Sequence, residues 1–215
     1  MRSALFQSAW SRYQRFTAAL TLFSGVPAFL LRLYLAPVLI QAGWNKYQAF
    51  DDTVAWFANP DWGLGLPAPV VLAVLAIAAE LLGGLLLLAG LATRLVCLPL
   101  IATMLVAIFS VHWPNGWLAI ADTSSWLADG TLLHDERVLA AREKLAAAKA
   151  ILQQYGDYDW LTSSGSLVIL NNGIEFAATY LLMLLSLLFT GGGRYLSGDY
   201  WLKRQLCRTA DNNAP

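Results

Sequence analysis

Four long apolar blocks, at about residues 27–44, 70–88, 95–111 and 167–189, constrain this chain more than anything else in it. A helix needs about 20 predominantly apolar residues to cross a ~30 Å hydrocarbon core. In lipid, backbone N–H and C=O groups must be satisfied inside the segment, so blocks of this length are expected to be helices. The rest of the composition agrees: 58% of the chain is hydrophobic and 13% charged, against about 25% charged in soluble domains. The expected fold class is all-α, a polytopic transmembrane four-helix bundle. Formal net charge is zero, so nothing points to a nucleic-acid partner. Cys97 and Cys207 lie far apart without a C-x-x-C and suggest neither a disulfide framework nor a redox pair.

The polar segments between the blocks set the organisation. Residues 4–20 place Leu5, Phe6, Ala9, Trp10, Tyr13, Phe16 and Leu20 at helical spacing, with Gln7, Arg12 and Arg15 on the other face. That pattern predicts an amphipathic helix lying in the interface, over 1–24. A cleavable signal is the rival reading. Arginines reaching Arg15 and the lack of a small-x-small site favour mature protein. Residues 25–117 form a three-span core, with a polar, aromatic first connection and a tight turn at 90–94. Residues 118–165 form an external loop with its own helix. Asp135 and Glu136 open that helix, and Val138, Leu145, Leu152 and Tyr155 give it an apolar stripe. Residues 166–215 hold the fourth span and a basic tail.

Lys and Arg near the span ends set orientation. Arg2, Arg12, Arg15, Arg94, Arg194, Lys203, Arg204 and Arg208 fall on one side, while residues 48–68 contain no Lys or Arg. Both termini are therefore expected in the cytoplasm.

Ionisable groups inside spans are costly and normally face the bundle interior. Glu80 lies eleven positions past Pro69, near the midplane, and Glu175 lies nearer the outer edge of the fourth span. Lys46 and His112 sit at outer helix ends, and Asn171, Asn172 and Glu175 are expected on one helix face. The expected site is an outer cluster: Glu80 and Glu175 as proton-handling, catalytic candidates, with Lys46, His112, Asn171, Asn172, Trp44 and Trp113 as ligand-binding candidates. Blander readings stand beside it. Lys46 snorkels, His112 anchors at the interface, Glu80 pairs with Arg32 or Lys46 as helix glue, and Glu175 belongs to a structural network with the asparagines. Trp44, Trp56, Trp62, Trp113, Trp117, Trp126 and Trp160 are either an aromatic belt or a stacking surface for a flat ligand such as a quinone head. Arg32 and Arg94 read as inner-face anchors. No H-E-x-x-H, P-loop or G-x-G-x-x-G occurs, and two histidines alone make no metal site.

The order Thr53-Val54-Ala55-Trp56-Phe57, Leu64-Gly65-Leu66-Pro67-Ala68-Pro69, Glu80-Leu81-Leu82-Gly83-Gly84, Thr93-Arg94 and His112-Trp113-Pro114-Asn115-Gly116 resembles the DoxX family. Leu31-Arg32-Leu33-Tyr34-Leu35-Ala36-Pro37, the stretch Leu170-Asn171-Asn172-Gly173-Ile174-Glu175-Phe176-Ala177 and Gly193-Arg194-Tyr195 resemble the HvfX-like subgroup. The resemblance implies a four-helix bundle in the bacterial inner membrane. It also implies a redox accessory linked to quinone, in maturation of copper-binding modified peptides (bufferins and oxazolins). The implied partners are the bilayer and a peptide-maturation enzyme complex or its peptide. A transporter or export partner for peptide or copper, and a non-catalytic assembly factor, are the alternatives.

Overall fold

The computed structural model describes residues 2–212. Its regular elements are all helices; among the described residues the only β pairings are isolated bridges, Ile120–Leu170 and Asp129–His134. The chain forms two units. One comprises the residues up to 103 and from 182 onward, and the other comprises 104–181.

The first unit opens with α1 (Arg2–Leu22), where Phe6, Trp10, Tyr13, Phe16 and Leu20 are exposed along one face. Helices α2 (Gly25–Gln48) and α4 (Pro69–Ala89) then form an antiparallel pair. Near its start α2 meets the end of α4, because the Arg32 guanidinium donates to the Leu87 and Leu88 carbonyls. Near its end α2 meets the middle of α4, where Lys46 reaches Glu80. Small residues allow this approach. A Cβ on Gly43 would lie 2.9 Å from the Glu80 Cβ, and one on Gly84 would press on Ile40 and the Ala36 carbonyl. Leu35, Leu39, Ala73 and Leu87 fill the core.

The connection between them is not merely polar coil. It holds α3 (Phe50–Ala58), with Asp51 and Asp52 in the first turn, where a helix favours acids, and Thr53 and Phe57 buried one turn apart. Nine residues are too few for such a period to stand out in sequence. At the end of α4, Gly90 adopts left-handed φ (+66°), and Leu91 N–H bonds back to the Leu86 carbonyl. This closes the helix and turns the chain into α5 (Thr93–Val106).

In the second unit the helix of α5 runs on as a π-turn (Ala107–His112) and a 3₁₀ turn (Trp113–Asn115). Helix α6 (Glu136–Tyr155) is capped by Asp135, whose carboxylate accepts from Arg137 N–H and Val138 N–H. Of its expected apolar stripe only Val138 is buried, in a small core with Leu118 and Ala128; Tyr155 is 78% exposed. The short α7 (Tyr158–Thr162) follows.

The fourth apolar block starts later than its composition suggests. Residues 163–174 are not helical, and α8 begins at Glu175 and ends at Thr190. Backbone pairing is the reason. Asn171 and Asn172 N–H both donate to the Ala119 carbonyl, Gly173 N–H to Leu118, Ile174 N–H to Gly116 and Glu175 N–H to Trp117. With those amides committed to 116–119, the helix cannot start earlier. At 16 residues, α8 is about 24 Å long. Three helices, Gly25–Gln48, Pro69–Ala89 and Thr93–Asn115, are long and apolar enough to cross a membrane; α8 is a shorter apolar helix. The basic tail is also a helix, α9 (Gly198–Asn212), and belongs to the first unit.

Candidate functional site

The seam between α2 and α4 carries the strongest polar feature of the chain. Glu80 lies eleven residues into α4, and its side chain is 5% exposed. Both its carboxylate oxygens accept hydrogen bonds from the Lys46 ammonium, at 2.9 and 2.7 Å. Lys46 occupies the last turn of α2 and keeps 28% of its side chain exposed. Gly43, three positions earlier on the same helix face, lets α4 come close enough for the pair to form. Thr53 of α3 donates to the Ala49 carbonyl beside it.

Two charges in apolar surroundings are expensive unless they meet with good geometry, and here one ammonium serves both oxygens. Arg32, the other cation considered for Glu80, sits at the opposite end of the seam. It is 1% exposed, and its guanidinium donates to Leu87, to Leu88 and, at 2.5 Å, to Leu196. It thus closes the carbonyl end of α4, where cations are favoured. Arg94 does the same for α8 through the Phe189 carbonyl at 3.0 Å.

Trp44 does not wall the pair. It lies two positions from Lys46, off the face that meets α4, and forms an exposed ring pair with Tyr47 at 5.5 Å.

The remaining candidates belong to the second unit, where they tie a loop together. His112 Nδ1 and the Asn115 side-chain amide both bond the Asn172 carbonyl, at 2.9 and 3.1 Å. Asn172 itself has a left-handed backbone (φ +59°). The buried Asn171 amide donates to the Asn115 and Leu118 carbonyls at 2.6 and 2.9 Å. The Glu175 carboxylate accepts from Ala119 N–H at 2.9 Å. Asn171, Asn172 and Glu175 do not share a helix face as the sequence suggested, because the first two precede α8. Trp113 is 58% exposed beside Phe109. Among the described residues, no three His, Cys, Asp or Glu side chains gather as a metal site requires.

One residue with a clear positioning role escaped the sequence reading. The Asp199 carboxylate accepts from Ala92 N–H and Thr93 N–H and so caps α5 from the far end of the chain. A long-range cap leaves no local pattern to read.

A DoxX family model matches residues 27–113. The match spans nearly all of α2, all of α3 and α4, and the third span as far as Trp113, less than half of the chain. Lys46, Glu80, Trp44, His112 and Trp113 lie within the match, and Asn171, Asn172 and Glu175 lie outside it. No curated protein and no solved structure matches the chain.

Proposed function

We propose, starting from a DoxX domain whose apolar helices enclose one ion pair, that this membrane protein is a quinone-linked redox accessory in which Lys46 and Glu80 handle a proton. The observation that carries the reading is the pair itself: a carboxylate 5% exposed, bonded through both oxygens to one ammonium. A proton can pass between groups 2.7–2.9 Å apart without helix movement. Lys46, the more exposed partner, is the group that exchanges with the surroundings, and Glu80 is the group that stores.

A bound quinone would supply two-electron chemistry that takes up and releases protons. The donor set fits a quinone carbonyl through the Lys46 ammonium, and it does not supply Trp44 as a stacking wall. In this reading Lys46 orients the head, Glu80 exchanges the proton, and Gly43 and Leu81 keep the seam tight. Glu175, His112, Asn171 and Asn172 hold the second unit's loop, and Trp113 serves as an interfacial anchor. The likeness of 170–177 and 193–195 to HvfX-like proteins supports a place in maturation of copper-binding modified peptides, with the peptide or its modifying enzyme as partner. Arg94, Arg194, Lys203, Arg204 and Arg208 support both termini being cytoplasmic, and the likeness to the DoxX family supports a bacterial inner membrane.

A second reading has its own support. A closed two-oxygen ion pair across α2 and α4 also suits a non-catalytic assembly factor whose charges fix helix register. Glu80→Gln separates the two. It keeps shape and hydrogen bonding but cannot exchange a proton. At matched membrane abundance, the redox reading predicts loss of mature peptide from cells that make the peptide and its enzymes. Normal yield would sink the proton role and leave the assembly factor.

A further inference from the structure

Helix α9 begins where two spans turn. Its first residues are locked to the α4–α5 turn: Asp199 N–H donates to the Gly90 carbonyl, the Asp199 carboxylate receives Ala92 and Thr93 N–H, and Arg32 holds the Leu196 carbonyl. A turn joining two spans lies at a membrane face, so α9 starts at that face too. From there it runs 15 residues, about 22 Å.

Its surface is divided. Trp201, Leu202 and Leu206 are exposed, Leu206 by 63%. Leu202 and Leu206, one turn apart, share one side; Trp201 lies at its border with Arg204 and Arg208, three and seven positions on, and Lys203 flanks the other edge. Just before the helix, Arg194 stacks over the Tyr195 ring at 5.4 Å. The Tyr195 ring meets Tyr200 at 5.0 Å, Tyr200 meets Trp201 at 5.4 Å, and Arg204 lies over Trp201 at 5.4 Å. The Trp201 indole N–H is fixed on the Tyr195 carbonyl at 2.8 Å. The result is an ordered row of guanidinium, three aromatic rings and guanidinium. Among the described residues the only ion pair is Lys46–Glu80. Among residues with described side chains, Arg194, Lys203 and Arg204 have no acidic ion-pair partner, and Asp199 is already committed to backbone amides.

We propose that the row from Arg194 to Arg204, with Lys203 and Arg208, is a headgroup site for anionic phospholipid, with α9 lying along the membrane surface. The cations of this row supply the charge complement. The exposed Trp201, Leu202 and Leu206 enter the acyl boundary, and the rings sit at headgroup depth. This holds whichever face of the membrane α9 occupies, and it is independent of the Lys46–Glu80 reading.

The test uses the full chain. Wild type and a variant with Arg194→Gln, Lys203→Gln, Arg204→Gln and Arg208→Gln are purified in mild detergent from membranes containing phosphatidylglycerol and phosphatidylethanolamine, and the retained lipid is measured. Each cation near the surface contributes roughly 1 kcal/mol, about a fivefold change in binding. The wild type should therefore retain phosphatidylglycerol selectively, and the variant should lose that preference by at least about fivefold. In parallel, a spin label at Leu202→Cys in a Cys207→Ser background is read in nanodiscs. It should show oxygen-accessible, lipid-like surroundings in discs containing phosphatidylglycerol. Equal lipid ratios for wild type and variant would overturn the proposal. So would a water-accessible label in anionic discs, the result expected if α9 instead receives an acidic protein segment.

Discussion

Removing one charge of the Lys46–Glu80 pair should cost different amounts depending on which partner goes. Lys46→Met strands a carboxylate only 5% exposed, and leaving one member of a buried pair uncompensated costs about 3–5 kcal/mol. Glu80→Gln strands an ammonium that is 28% exposed at the end of α2. That side chain can extend towards the interface, and the new amide still offers it an oxygen. The loss is then nearer that of one charge-assisted hydrogen bond, about 1.5 kcal/mol. The double variant removes both charges and should be less unstable than the sum of the singles, with a coupling of about 2–3 kcal/mol. Unfolding free energies of all four proteins, measured by steric trapping in bicelles, give the cycle. Equal costs for the two single variants, additive within about 0.5 kcal/mol, would refute the asymmetry drawn from burial.

Gly43→Ala would drive a Cβ into Glu80 and Leu81, so it should destabilise by about 1–3 kcal/mol as overpacking, seen as a lower Tm in detergent. Asp199→Ala removes the cap on Ala92 and Thr93 N–H and should cost about 1 kcal/mol, with faster amide exchange at the start of α5. Arg32→Lys should not preserve the closure of that end of α4. One ammonium cannot span the carbonyls of Leu87, Leu88 and Leu196, and a loss of about 2 kcal/mol in unfolding free energy is expected. For topology, Cys207 is exposed and Cys97 buried. With the tail in the cytoplasm, as the charge pattern proposes, an impermeant thiol reagent on intact cells should miss the wild type and label Asp61→Cys; the reverse would overturn the charge-based orientation.

The spans themselves were legible because lipid demands long apolar helices. The block at 70–88 became Pro69–Ala89, and that at 27–44 became Gly25–Gln48. Glu80 was legible as an apolar helix's only charge. Its choice of Lys46 over Arg32 was not, because it depends on how far α2 slides against α4, which Gly43 and Gly84 set. The start of the fourth helix was misjudged because Leu167–Leu170 looks like membrane, yet 171–175 pair with 116–119. That error also broke the shared-face argument for Asn171, Asn172 and Glu175. Helix α3 was too short to announce itself, and the helical character of α9 was hidden by its charge.

Whether Glu80 carries a transferable proton can be read in redox-triggered difference infrared spectra of the chain in quinone-containing membranes. The account predicts a carboxyl signal that shifts on deuteration and is absent from Glu80→Gln. A wild-type spectrum with no carboxyl signal, or the same signal persisting in Glu80→Gln, would contradict it.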